Sequence, residues 1–126
     1  VSATSEMEVR ELNSALAADG QDITLRRFSG TTTRTNIDVQ VRAFVRHYEA
    51  KELTPATVQG DTKIIMSPTE IIAAGWPGAE PPGAADARVP RRGDQVLVVG
   101  APRQVQNAYP IYIDNDLVRI ELQVRG

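Results

Sequence analysis

The stretch "IDVQVRAFVRHY", residues 37–48, decides the class of fold. Ile37, Val39, Val41, Ala43 and Val45 fall on one side of an extended chain, and Asp38, Gln40, Arg42, Phe44 and Arg46 on the other. A period of two over this length describes a β-strand with one buried face. The second face is either solvated or meets another chain, and Arg42, Phe44 and Arg46 are its candidate interface residues.

Working outward, "DITLRRF" (residues 22–28) precedes this strand across a polar run, Ser29 to Asn36. "TKIIM" (62–66), "DQVLVVG" (94–100), "RQVQNAYPIYI" (103–113) and "LVRIELQVR" (117–125) follow it. In the last, Val118, Ile120, Leu122 and Val124 alternate with Arg119, Glu121, Gln123 and Arg125, and Asp114-Asn115-Asp116 supplies the turn before it. About six strands with little helix predict a mainly β domain, a small antiparallel barrel or sandwich with long loops. Residues 1–126 read as a single domain.

Two helices lie at its margins. The amino-terminal arm, residues 1–20, has Ser5 and Glu8 at capping-box spacing, a narrow stripe of Val9, Leu12 and Leu16, and Asp19-Gly20 to end it. It is either a lid on the core or a docking arm for a neighbour. The second helix starts at Ser67-Pro68-Thr69-Glu70, with Ser67 as cap, Pro68 in the first turn and Glu70 closing a capping box, and stops at Gly75-Trp76-Pro77. The Pro-, Gly- and Ala-rich run from Pro77 to Arg92 reads as an extended surface excursion. Trp76 either plugs one end of the core or anchors an interface, and it is carried as a candidate for the latter with Arg91.

"QGD" and "RGD", ending at Asp61 and Asp94, each stand before an apolar β-branched run. Gly60 and Gly93 are expected to take positive φ, and Asp61 and Asp94 to bond back to the backbone, so Arg92-Gly93-Asp94 reads as a structural turn. On that reading Gly93→Ala should cost more stability than Asp94→Asn, since Asn makes similar turn bonds.

Composition narrows the function. With no cysteine there is no disulfide, thiolate nucleophile or Cys-based zinc site. The 14 basic and 16 acidic residues leave a net charge of −2, unlike the basic footprint of a protein that grips nucleic acid. Only Lys51 and Lys63 are lysines; the preference for arginine suits protein interfaces. No apolar run approaches the length of a bilayer span, so no membrane partner is expected. His47 is the one histidine, and no nucleophile elbow, nucleotide-binding glycine pattern or calcium loop accompanies it. Neither catalytic residues, nor a metal, nor a cofactor is expected.

Taken in order, "DITLRR", "VRAFVRHYEAKEL", "VQGDTKIIMSPTEI", "PRRGDQVLVVG" and "LVRIELQVRG" resemble the head-closure, or head-tail joining, proteins of tailed bacteriophages and gene transfer agents, from about Asp22 to Gly126. The resemblance implies a non-enzymatic virion protein with a β-barrel core. It would form a sixfold or twelvefold ring of copies in the neck, assembled in the host bacterial cytoplasm, with a portal adaptor above, a tail or tail-terminator protein below, and packaged double-stranded DNA passing non-specifically through the channel. In such proteins a loop near the ring axis acts as a stopper. The candidate here is Glu49 to Gly60, with Glu49, Lys51, Glu52, Thr54 and Gln59, a connection longer than a hairpin needs. Arg119 and Arg125 on the last strand complete the candidate ring contacts. A tail-tube or baseplate-hub barrel, or less closely an intracellular binding module, is the alternative.

Overall fold

The computed structural model describes residues 2–29, 34–47, 61–78 and 86–126. Helix α1 (Ala3–Asp19) is followed by β1 (Gln21–Ser29), β2 (Thr35–His47), β3 (Thr62–Met66), α2 (Thr69–Ala74), β4 (Gln95–Val98), β5 (Ala101–Ile113) and β6 (Asp116–Arg125). The six strands close into an antiparallel barrel in the order β1-β2-β3-β6-β5-β4, with β4 pairing back onto β1. Of the two architectures the strand pattern allowed, the barrel is the one formed.

Alternation places the core. Ile23 and Leu25 on β1, Val39, Val41 and Ala43 on β2, and Val96 and Val98 on β4 point inward and meet Ile64, Met66, Ile120 and Leu122 from the far wall. The first strand keeps this phase one step further, and the next inward residue is Arg27, only 2% exposed. On β6 the phase slips. A register irregularity opposite Ile111 and Tyr112 turns Leu117 into the core, while Val118 is buried outside that cluster, beside α1.

The strands are unequal in length, and the mismatch explains α2. β2 runs for thirteen residues but β3 for five, so β3 pairs only from Ala43 to His47 and leaves the earlier half of that β2 edge without a strand. Unpaired backbone groups there would cost free energy or invite another chain. The α2 segment meets two backbone groups of β2: the Glu70 carboxylate accepts the Arg42 backbone N–H, and the Trp76 indole N–H donates to the Ile37 carbonyl at 2.9 Å. Glu70 therefore does not close a capping box as its spacing suggested, because its carboxylate is used by the neighbouring strand. Ser67 does act at the helix start, its hydroxyl accepting the Thr69 N–H at 3.2 Å. Gly75, left-handed at φ +66°, ends α2.

Helix α1 begins earlier than the spacing indicated. Ser2 is the cap, its hydroxyl accepting the Ser5 N–H at 3.0 Å, and Ser5 lies buried within the helix. Gly20 ends α1, although its backbone is extended rather than left-handed. A β-carbon there would stand 2.6 Å from the Leu16 carbonyl oxygen and 3.1 Å from that of Ala43, so any other residue would have to shift the helix end from β2.

Candidate assembly surface

Each end of the barrel is tied by an aspartate and an arginine. At one end Gly93 takes φ +99°, and the Asp94 N–H closes a turn onto the Arg91 carbonyl at 2.9 Å. The tripeptide is thus a turn, and Asp94 does bond back to the backbone by accepting the Arg91 N–H at 2.9 Å. Its larger role lies inward. Both carboxylate oxygens receive the Arg27 guanidinium, at 2.8 to 3.2 Å, with side-chain exposures of 2% for Arg27 and 6% for Asp94. Arg27 also donates to the carbonyls of Ala87 and Val89 and lies over the Trp76 ring, 4.7 Å from its centroid. Buried charge is tolerable because the guanidinium's donors meet oxygen and its face meets an aromatic ring.

At the other end Asp61 is likewise buried. It accepts from Arg125 at 2.8 and 3.0 Å and from the Gln123 amide at 2.7 Å, while Gln123 is oriented by the Asn107 amide at 3.0 Å. The bond to Asp61 holds the Arg125 pKa above its usual value. The two Gly-Asp dipeptides therefore deliver carboxylates to arginines as well as starting strands. Gly60 lies outside the described residues.

These contacts relocate the candidate interface residues. Trp76, 4% exposed, belongs to the core and plugs the Arg27 end, so it is withdrawn as an interface anchor: both its ring face and its N–H are used within the chain. Arg42 donates to the Leu16 carbonyl at 2.9 Å and binds α1 to β2. Arg119 pairs with Glu121 at 2.9 Å, which Lys63 also approaches at 3.6 Å. Phe44 is half-buried, whereas Arg46 and Arg91 are exposed. Glu49, Lys51, Glu52, Thr54 and Gln59 lie outside the described residues. The strands flanking them pair His47 with Thr62, so that connection leaves and returns at the Asp61 end.

The surface also carries apolar groups that the strand alternation did not single out. The β5–β6 ribbon extends past the end of β4, which pairs only with Ala101 to Gln104, and it exposes Tyr109, Ile111 and Tyr112. Its tip, Asp114-Asn115, has positive φ at both residues, the geometry of a two-residue hairpin turn. Tyr112 donates to Asp86 at 3.2 Å. Bonds from Arg88 above all, against the opposing effect of partial burial, pull the Asp86 pKa down to about 2, with a smaller share from Tyr112. Val99, in the β4–β5 turn, is 90% exposed and sits at φ +51°, a conformation unfavourable for a β-branched residue.

Among the described residues no group of three or more metal-ligating side chains converges, and no helix is long and apolar enough to cross a membrane. Asp116 bonds to Ser5 and Ser2, and Asp114 occupies the hairpin turn. Compared with models of known families and with curated proteins, the sequence matches none.

Proposed function

We propose that the protein is a structural component of a bacteriophage or gene-transfer-agent neck, a barrel that assembles with copies of itself into a ring beneath the portal adaptor and closes the filled head. The observation that carries this reading is exposed apolar surface: Tyr109, Ile111 and Tyr112 on one ribbon, and Val99 at a hairpin tip whose backbone conformation already disfavours it. Aromatic anchors of this kind are enriched at protein contacts. A head-to-tail ring needs two different complementary surfaces on each subunit, and the projecting ribbon and the opposite barrel wall, with Phe44 and Arg46, provide two. The near-neutral charge supports passage of DNA without holding its phosphates.

Disrupting the gene in a particle-producing strain tests the reading. Heads should package DNA yet fail to keep it, and tails should accumulate unattached. Particles of normal DNA content with tails joined would overturn it.

A further inference from the structure

Helix α1 is held at its ends and packed lightly between them. At its start the Asp116 carboxylate accepts the Ser2 N–H at 3.1 Å and the Ser5 hydroxyl at 2.7 Å. Near its finish Arg42 donates to the Leu16 carbonyl at 2.9 Å. In the middle, Asn13 meets Thr69 at 3.0 Å. Of its seventeen residues only Ser5 and Leu16 are fully buried. Grooves flank it on both sides, one of about 620 Å³ toward α2, lined in part by Val9 and Ile72, the other of about 230 Å³ toward the β5–β6 ribbon, lined by Leu12, Ile111 and Ile113.

A helix seated this way is released by breaking a few polar bonds at its margins, with little core packing lost. The connection back to β1 is one residue, Gly20, crowded between the Leu16 and Ala43 carbonyls. Short, tight hinges favour exchange of an element between identical chains, because opening the hinge costs little and every contact is remade on the neighbour. We infer that α1 is an exchangeable arm: in assemblies of this protein it leaves its own barrel and seats on the same face of a second copy, with its Ser2 and Ser5 on that copy's Asp116 and its Leu16 carbonyl on that copy's Arg42. The occupant of the vacated face is specified by the face itself, which already fits this helix. The inference goes beyond the neck reading and needs only that copies of the chain meet.

The chain has no cysteine, so an engineered pair reports without background. In N13C/T69C, built on the Asn13–Thr69 contact, monomeric and oligomeric fractions separated by size and then oxidised should differ on a denaturing gel. Monomers should give an internally linked single chain, and oligomers covalent dimers and longer ladders that reducing agent collapses. A second variant, with Gly-Ser-Gly inserted after Gly20, lets α1 return to its own barrel without the crowded junction, and light scattering should show its oligomeric fraction falling away. Oligomers that yield only internally linked single chains overturn the inference. So does a protein that forms no oligomer at any attainable concentration. Should the cysteine pair fail to close, the lengthened hinge decides alone: loss of oligomer supports exchange, and unchanged oligomer mass refutes it. Neither result bears on whether particles lacking the protein retain DNA, so failure of the arm and failure of the neck reading are distinguishable.

Discussion

At the scale of single residues, the Gly-Asp dipeptides were legible as turns but only half understood. Gly93 has open space around its missing β-carbon, so Gly93→Ala costs backbone strain alone, about 1 kcal/mol. Asp94→Asn removes the charge that compensates Arg27 in a site closed to water, and truncating one partner of a buried pair costs about 3–5 kcal/mol. The expected order of the two substitutions is therefore the reverse of the one drawn from turn chemistry, and urea denaturation of both variants beside the parent protein checks it. The signal was available: Arg27 stands in phase with Ile23 and Leu25, and an arginine on an inward phase demands a buried carboxylate. What the sequence did not carry was which carboxylate, because Asp94 lies 67 residues away. Val99 gives a prediction of opposite sign. Val99→Asn, at a left-handed position preceding Gly100, should raise stability by about 1 kcal/mol in the isolated protein, read as a higher melting temperature.

At the scale of elements, the long alternating strands were readable because one face of each is buried, and the glycines that end both helices were readable too, whereas the capping boxes were not. Ser5 and Glu70 each had the residue type and spacing of a cap, yet Ser5 bonds to Asp116 and Glu70 to the β2 backbone, contacts made across the fold. Tertiary demand for an acceptor or donor outweighed the local motif. The arm's anchorage makes α1 sensitive to acid. Bonds from Ser5 and then Ser2 hold the Asp116 pKa below the usual 3.8, and Asp86 lies at about 2. Both carboxyls bind a proton less readily when folded than when unfolded. Their contribution to stability is complete above the unfolded value of 3.8 and is lost as pH falls through the folded one. Urea midpoints should hold steady above pH 5 and drop between about pH 4 and pH 2, and Asp116→Asn should flatten part of that drop. Gly20→Ala is the corresponding steric test: the added methyl must push α1 from β2, costing about 1–3 kcal/mol and raising amide exchange along the helix.

At the scale of the whole molecule, the closed barrel follows from pairings that the residue pattern implied in number but not in order. Six amphipathic strands can stack as a sandwich or close as a barrel, and closure here comes from β4 pairing back onto β1, while α2 and Trp76 cover the part of the β2 edge that short β3 leaves open. Because Trp76 is the single tryptophan and is buried beside Arg27, its fluorescence should report global unfolding and coincide with circular dichroism in one transition. The candidate assembly surface was less legible than the core, since Tyr109, Tyr112 and Val99 sit in strand and turn patterns that look alike whether covered or bare. The proposed role of the connection from Glu49 to Gly60 belongs to this scale as well: replacing it by a tight turn should leave the melt unchanged while particles lose packaged DNA. The proposal as a whole concerns where the barrel sits in a particle, and an averaged electron cryomicroscopy reconstruction of the intact neck addresses that position. A single closed ring of this barrel directly beneath the portal adaptor, with the connection between β2 and β3 nearest the axis, is the expected density. Stacked rings of the barrel along the tail tube, or a complete neck with no density for it, would contradict the account.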